Sequence, residues 1–245
     1  MNEKAILVTG AARRLGSAIA REMHATGANI MVHYHHAAAA AEELVAELNA
    51  LRPSSAACLQ ADLREIETLP RLVANTVDRF GRLDALVNNA SSFFATPLGS
   101  IDQAAWDDLV GSNLKAPLFL TQAAAPHLRV ARGAVVNITD IHAERPLARY
   151  PLYCAAKAGL LGLTRALAIE LAPLVRVNAV APGPILWPDG GVFDSAARAS
   201  IVAHTLLERP GCPQDVAGAV RYLLEDASYV TGQVINVDGG RTAHL

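Results

Sequence analysis

The segment from Asp140 to Leu171 contains an acid, a phenol and an amine whose spacing could support proton transfer. Tyr153 and Lys157 are four residues apart in a strongly helical segment, so both side chains project from the same helical face. A neighbouring ammonium group favours the phenolate, and we therefore expect it to lower the pKa of Tyr153 towards working pH. Asp140 follows the apolar run 134–138, which is typical of a buried strand that delivers a side chain to a site.

Apolar runs alternate with helical patterns along the 245 residues. This rhythm predicts an α/β fold, a doubly wound parallel sheet of about seven strands with helices on both faces. We predict strands at 4–8, 29–34, 56–60, 83–87, 134–138, 174–180 and 230–237, and helices at 15–25, 38–51, 66–80, 106–109, 113–128, 153–171 and 216–224. The pattern offers no second core, so residues 1–245 should form one domain.

The turn after the first predicted strand has the composition of a dinucleotide site. Gly10 and Gly16 would let a pyrophosphate approach the backbone, and the N-terminus of the next helix would supply N–H donors. Arg13 and Arg14 lie at this N-terminus, where positive charge opposes the helix dipole. The pair could be a solvated first turn, but an anionic ligand would remove the conflict. We therefore predict a Rossmann-type nucleotide site.

The residues after the second predicted strand bear on which nicotinamide cofactor is bound. An NAD-specific site places Asp or Glu here to bind the ribose hydroxyls, whereas this chain has Tyr34, His35 and His36, and no acid lies between Tyr34 and Glu42. The missing carboxylate and the nearby arginine pair favour NADPH. The histidines lack Asp, Glu or Cys partners at ligand spacing, so we predict no metal site.

Asn113, Asp140, Tyr153 and Lys157 have the spacing of the Asn-Ser-Tyr-Lys set of the short-chain dehydrogenase/reductase family, with Asp in place of Ser. The resemblance extends from TGAARRLG through NNA to VDGG. Within the family the chain is similar to pteridine reductases, which share TGAA, a basic pair, LG and a stretch like NASSF. The resemblance implies hydride transfer with Tyr153 as proton donor. It also implies that Asn113 kinks its helix and binds a water that relays protons towards Lys157.

The same resemblance implies the cofactor contacts. Asp62 and Leu63 would lie at the adenine edge, Asn89 and Ala90 beside the cofactor, and 182–183 against the nicotinamide. The predicted contacts are Gly10, Arg13, Arg14, Leu15, Gly16, Tyr34, His35, His36, Asp62, Leu63, Asn89, Ala90, Ser91, Tyr153, Lys157, Pro182 and Gly183.

The stretch 91–97 follows a central strand, at the sheet edge where open α/β proteins bind ligands. By the resemblance, Ser91 hydrogen-bonds the substrate and Phe93 stacks on a flat heterocycle opposite the nicotinamide. Alternatively, Phe93 packs its loop onto the core. The periodicity weakens over 185–207, which predicts a mobile loop that covers the substrate.

Asp140 bears most on the substrate, which it would contact together with Ser91, Phe93 and Tyr153. An ionised carboxylate would repel the oxygen of a ketone transition state, whereas a protonated one could donate to a ring nitrogen, and burial would favour that form. We therefore predict NADPH-dependent reduction of pterins, from dihydropterin to tetrahydropterin, and of folates. The alternatives are a ketone or 3-oxoacyl thioester reductase and a nucleotide-binding regulator without turnover. Asp140 could also simply cap a turn.

The composition restricts the partners. With 52% hydrophobic residues, 18% charged residues and a net charge of −2, nothing favours nucleic acid. No apolar stretch reaches the roughly 18 residues of a membrane-spanning helix, and a strand starts too early for a signal peptide, so we expect a cytoplasmic protein. Three distant cysteines favour no disulfide framework. We expect a homotetramer, because segment 153–171 and the last strand are more apolar than one sheet face requires and the family packs four chains.

Overall fold

A computed structural model describes residues 1, 3–188 and 192–243, and its seven strands form one parallel sheet in the order β3-β2-β1-β4-β5-β6-β7. The strands are β1 Ala5–Val8, β2 Asn29–Tyr34, β3 Ala56–Gln60, β4 Ala85–Asn88, β5 Ala134–Ile138, β6 Arg176–Pro182 and β7 Val234–Val237. The helices are α1 Arg14–Ala25, α2 Ala38–Leu51, α3 Leu69–Phe80, α4 Gln103–Val110, α5 Ala116–Ala131, α6 Pro151–Leu171, α7 Ser195–Ala203 and α8 Pro213–Glu225. The predicted fold class is confirmed.

The strand order reverses between β1 and β4, because the chain builds the sheet outwards first through β2 and β3 and then through β5, β6 and β7. In open α/β sheets the crevice for a ligand lies at such a reversal, beyond the carboxyl ends of the strands. The loops that follow β1, β4, β5 and β6 therefore meet at this edge. These loops contain predicted site residues, among them Gly10, Asn89, Ser91, Asp140 and Gly183.

Alternate residues of the strands pack against opposite helical layers. In β1, Ile6 and Val8 contact the layer of α1, α2 and α8, whereas Leu7 faces α3, α5 and α6. All three side chains are fully buried. Burial on both faces explains why the strands appear in the sequence as continuous apolar runs.

Helices α4 and α5 are joined by a π-helical turn, Gly111–Lys115, where the sequence predicted two separate helices. The amide of Asn113 explains the widening, because its Nδ2 donates to the carbonyl oxygens of Leu109 and Ser92 at 3.0 and 2.9 Å. A side chain inserted into the helical ladder is a recognised cause of such a bulge. The backbone irregularity implied for Asn113 is therefore present.

The weak periodicity predicted a loop over 185–207, but the segment contains the helix α7. The carboxylate of Asp194 caps this helix by accepting a hydrogen bond from the backbone N–H of Ala197 at 2.8 Å. None of the residues of α7 is buried, so the helix has no apolar stripe that a periodicity argument could detect. Gly190 and Gly191, which the prediction placed in this loop, lie outside the described residues.

Among the described residues, α6 is the one helix that is long and apolar enough to cross a membrane, by length and composition only. The sequence predicted no membrane-spanning stretch, and α6 is the one candidate in the described part of the chain that departs from this prediction. Half of the most apolar 18-residue window is buried inside the fold, as in the core helix of many globular proteins. The helix is therefore weak evidence for a membrane span.

A chain of buried polar side chains connects the centre of the sheet to α6. Asn88 Nδ2 donates to Asn137 Oδ1 at 2.8 Å, and Asn137 Nδ2 donates to Thr164 Oγ1 at 2.9 Å. Asn137 and Thr164 are fully buried. Because no water reaches them, each amide and hydroxyl depends on its partners in this chain for hydrogen bonding.

We expect Asn137→Ala to lower the free energy of unfolding by about 2 kcal/mol, because it leaves the buried amide of Asn88 and the hydroxyl of Thr164 without their shared partner. Urea unfolding would measure the loss. Asn236→Ala is the matched control, since Asn236 is exposed and should change stability by less than about 0.5 kcal/mol. Equal stabilities for the two variants would contradict a stabilising role for the chain of amides.

Candidate active site

The turn between β1 and α1 is packed closely enough to exclude side chains. Gly10 has a φ of +59°, and a Cβ atom on it would lie 2.9 Å from the Cα of Ala90. A Cβ on Gly16 would lie 2.2 Å from the carbonyl oxygen of Gly10. Only glycine suits both positions, and the turn exposes its backbone at the N-terminus of α1. This geometry fits a dinucleotide pyrophosphate, whose phosphates require a close approach to backbone N–H groups.

The loop after β4 fixes this turn. Thr9 Oγ1 accepts hydrogen bonds from the backbone N–H groups of Asn89 and Ala90 at 2.9 and 3.0 Å. In return, Asn89 Nδ2 donates to the carbonyl oxygens of Thr9 and Gly10 at 2.9 and 3.1 Å. Asn89 therefore fixes the turn through its side chain.

The arginine pair is exposed at the start of α1. Arg14 has a φ of +54°, in the left-handed region that favours glycine, at the position where the resembling family has its second glycine. Its guanidinium donates to the carbonyl oxygen of Trp187 at 2.9 Å and so contacts the segment before α7. Leu15 follows and packs against the core beside α1. The pair places two cations beside the glycine turn.

The predicted adenine edge contains an ion pair that the sequence analysis missed. Asp62 accepts hydrogen bonds from the guanidinium and the backbone N–H of Arg64, which hold the pKa of Asp62 at about 2. Arg64 also contacts Asp108 of α4 at 3.2 Å. His35 lies 3.6 Å from Asp62, and its ring lies 3.5 Å from that of His36, centroid to centroid. No spacing rule pointed to Arg64, because its second partner is distant in sequence.

Other predicted cofactor contacts lie at the same edge of the sheet, but their side chains are packed against the protein. Leu63 is buried in the core, and Tyr34 packs partly against the core. Pro182 ends β6 and pairs with Val237 at the end of β7. A Cβ on Gly183 would lie 2.6 Å from that of Asp238, so glycine is required there for packing.

The three residues that opened the sequence analysis are brought together. The hydroxyl of Tyr153 donates to Asp140 Oδ2 at 2.6 Å, while Asp140 Oδ1 accepts from the backbone N–H of His142 at 2.8 Å. Asp140 therefore does cap a short turn, and it also contacts the phenol. The Lys157 ammonium donates to the carbonyl oxygen of Ile138 at 2.9 Å and lies 5.8 Å from the centroid of the Tyr153 ring.

The acidity predicted for Tyr153 was wrong. Burial raises its pKa well above the usual value, and the charge and hydrogen bond of Asp140 raise that pKa further. Burial lowers the pKa of Lys157 to about 8, and the attraction of Asp140 offsets part of that effect. The sequence argument considered only the ammonium group and omitted both burial and the acid. In this state Tyr153 is a phenol, not a phenolate.

Asn113 lies near these residues in the π-helical turn and is fully buried. Its Oδ1 has no hydrogen-bond partner among the described residues. A buried acceptor without a donor fits the bound water that the resemblance implied. Leu114, the next residue, lies against α6, where a Cβ on Gly159 would approach its Cδ2 to 2.8 Å. The π-helical turn is thus in close contact with the helix that presents Tyr153 and Lys157.

On the substrate side, Phe93 is part of an aromatic cluster. Its ring stacks on Tyr150 at 4.6 Å with an interplanar angle of 9° and meets Tyr153 edge to face at 4.8 Å. Phe93 therefore packs its loop, as the alternative interpretation held, and also lies beside the phenol. Ser91 is exposed at the start of the loop. Tyr150 was missed, because it precedes the first residue of α6 and no helical spacing relates it to Tyr153.

Among the residues that the structure describes, no group of three or more His, Cys, Asp or Glu side chains is arranged to hold a metal ion. A family model described as enoyl-(acyl carrier protein) reductase matches residues 10–242. Over 96% of its length the chain is 39% identical to pteridine reductase 1 of Leishmania tarentolae, and the match covers 94% of that protein.

Two further relatives are named for a different activity. The chain is 37% identical to a 3-oxoacyl-(acyl-carrier-protein) reductase of Synechocystis sp., over 96% of this chain and 95% of that protein. It is 35% identical to the enzyme with the same activity from Staphylococcus aureus, over 97% of each chain. The seven-stranded sheet, the glycine turn and the Asn-Tyr-Lys geometry agree with all these similarities. The chain therefore belongs to the short-chain dehydrogenase/reductase family and is an oxidoreductase.

Proposed function

We propose that this oxidoreductase uses NADPH to reduce pterins, from dihydropterin to tetrahydropterin, and accepts folates of the same ring type. The proposal rests chiefly on one observation, the hydrogen bond of 2.6 Å between Tyr153 and Asp140. The cofactor would supply a hydride, and the residues of this chain would bind the nucleotide, orient the substrate and deliver a proton.

Asp140 makes the site less suited to a ketone than to a ring nitrogen. A ketone gains negative charge on oxygen as hydride arrives, and a hydroxyl donor in this position would stabilise that charge. Asp140 in its ionised form offers only acceptors, so it would repel the developing oxyanion. In its protonated form it can supply the proton that a reduced C=N bond requires. The acid therefore favours protonation of a ring nitrogen over stabilisation of an oxyanion.

The exposure of the three residues gives the proton transfer a direction. Tyr153 and Lys157 are buried, whereas Asp140 is half-buried and can exchange protons with water. As hydride adds to the carbon, the Tyr153 hydroxyl gives its proton to the nitrogen. For the return step the hydrogen bond reverses: Asp140, which accepts from Tyr153 in the structure, takes a proton from solvent, and its O–H then restores the proton of Tyr153. Each proton that leaves one group is thus replaced from the next group outwards.

Lys157 stabilises the charge that appears in this transfer. Its ammonium lies 5.8 Å from the centre of the phenol ring, close enough to favour the transient phenolate. With a pKa lowered to about 8, the ammonium form still predominates at neutral pH. One N–H bonds Ile138, and the others can reach a ligand, which agrees with the cofactor contact implied by the resemblance.

Phe93 supports a flat substrate. The ring is half-buried, with one neighbour stacked on it and the catalytic phenol at its edge. A pterin placed against such a ring would gain stacking energy and have its C=N bond near Tyr153. A flexible acyl thioester would gain nothing comparable from this platform.

The second candidate is a 3-oxoacyl thioester reductase, which the relatives from Synechocystis and Staphylococcus favour. The third, a regulator that binds a nucleotide without turnover, has no use for the Asp140–Tyr153–Lys157 contacts. Steady-state NADPH oxidation with dihydrobiopterin, dihydrofolate and an acetoacetyl thioester separates all three. Reduction of the thioester alone would overturn the pterin proposal, and oxidation with none of the three would favour the regulator.

We expect NADPH to bind more tightly than NADH, because the arginine pair is present and no acid follows β2. Replacing Arg14 by Ala should weaken NADPH binding by about 1.5–3 kcal/mol if the guanidinium makes a charge-assisted hydrogen bond to a phosphate. Fluorescence titration of both nucleotides measures the effect. Equal affinities for the two, or tighter NADH, would contradict the assignment.

Two further variants separate charge from backbone. Arg14→Gly removes the same charge but relieves the left-handed backbone, so it should weaken NADPH as much as Arg14→Ala does while raising stability. Arg21→Ala is the matched control on the same helix, since Arg21 pairs with Glu47 at the surface and should leave the affinity for NADPH unchanged.

Asp140→Ser should lower pterin turnover and leave NADPH binding nearly unchanged. Serine can still cap the turn that Asp140 caps, so the backbone is retained while the acid is lost. The reason is that serine, unlike a carboxylic acid, cannot return a proton to Tyr153. Steady-state turnover of dihydrobiopterin by wild type, Asp140→Ser and Tyr153→Phe provides the measurement. Unchanged pterin turnover in Asp140→Ser would reduce Asp140 to a turn residue.

We also propose that four copies assemble into a homotetramer. Half of the apolar window of α6 is left outside the core of one chain, and Ile169 on this helix is 79% exposed. Light scattering at micromolar concentration should give a tetramer, and Ile169→Glu should shift it to smaller species. Leu51→Glu, on the exposed end of α2, is the control. A wild-type monomer would refute the proposal; the cytoplasmic location stays a prediction.

A further inference from the structure

His33 lies in the middle of the predicted cofactor edge, and the mechanism above does not use it. The side chain is on β2 and is 2% exposed. Its Nδ1 lies 3.1 Å from the backbone nitrogen of Gly10, and its Nε2 lies 3.1 Å from the carbonyl oxygen of Ala61. Because an N–H must donate and a carbonyl must accept, the partners assign the neutral ring with its proton on Nε2.

This ring connects the two ends of the nucleotide site. Gly10 is the first glycine of the pyrophosphate turn, and Ala61 immediately precedes Asp62 at the adenine edge. The backbone of His33 adds a second connection, since its carbonyl oxygen accepts from the N–H of Ala11 at 2.9 Å. The other side of the turn is held by Asn89, which donates to the carbonyl oxygen of Gly10. The peptide groups on both sides of Gly10 are therefore fixed.

We propose that His33 is a positioning residue for the nicotinamide nucleotide, which it serves by holding the N–H of Gly10 away from the ligand and so setting the backbone of the pyrophosphate turn. Without an acceptor, this buried N–H would rotate to find another, and the following peptides that face the phosphates would rotate with it. The inference rests on the nucleotide part of the proposed function and not on the pterin.

The ring is neutral under ordinary conditions. Burial lowers the pKa of His33 to about 4; the Ala61 carbonyl and Asp62 raise it slightly, and His35 lowers it. Asp62 is itself bound by Arg64, which limits the charge it presents to His33. A proton on Nδ1 would place two N–H groups against each other at Gly10. The acceptor that the turn requires is therefore available at every pH at which the enzyme would be assayed.

Two amide variants test which contact matters. An asparagine side chain places an oxygen near the position of Nδ1, so His33→Asn keeps the acceptor for Gly10 and loses the contact with Ala61. His33→Gln reaches towards Ala61 and leaves Gly10 without an acceptor, and His33→Leu removes both contacts at similar volume. Dissociation constants for NADPH and NADH come from fluorescence titration, and thermal unfolding of the same samples monitors the fold.

We expect His33→Gln and His33→Leu to raise the dissociation constants of both nucleotides by about 5- to 100-fold. The dissociation constants of His33→Asn should stay within about threefold of the wild-type values. Rescue by the smaller amide is a result that loss of packing cannot give. Wild-type affinity in His33→Gln, or an equal loss in His33→Asn and His33→Leu, would overturn the inference. If His33→Leu does not fold, the two amides still decide the question. A wild type that binds nucleotide but reduces no pterin would refute the proposed function and leave this inference standing.

Discussion

The reciprocal hydrogen bonds between the loop after β1 and the loop after β4 are the constraint on which the site depends. The hydroxyl oxygen of Thr9 accepts hydrogen bonds from two backbone N–H groups of the β4 loop. The side chain of Asn89 donates two hydrogen bonds to the carbonyl oxygens of the β1 turn. These contacts join the two strands at which the sheet reverses its order. Under the proposed function, one hydrogen-bonded unit would place both a nucleotide bound at the first loop and a substrate held by the second.

Opposite this unit, α6 holds two side chains whose charged forms are disfavoured by burial, Lys157 and Tyr153. A fully buried ammonium is costly, and the lowered pKa of Lys157 records that cost. The carboxyl group of Asp140 offsets part of the cost but raises the pKa of Tyr153. One side chain thus assists the amine and suppresses ionisation of the phenol. Both effects keep Lys157 charged and Tyr153 protonated in the resting site, so the phenol holds the proton that it would give.

Much of the fold and most of the site could be predicted from the sequence, because strands buried on both faces leave long apolar runs and the site residues follow those strands at the sheet edge. The errors have a common physical origin. The helix α7 was missed because none of its residues is buried, and the pKa of Tyr153 was misjudged because burial is invisible in a spacing. Arg64 was missed because it acts through a partner in a distant segment.

The π-helical turn at Asn113 changes which face of α5 is buried relative to the buried face of α4. Such a turn contains one residue more than an α-helical turn, and each residue rotates a helix by roughly 100°. The buried face of α5 is therefore offset by that angle from the face that α4 would continue. A shortened turn would carry Leu120 out of the core layer and move Leu114 off Gly159 of α6. The extra residue thus sets which side of α5 faces the sheet.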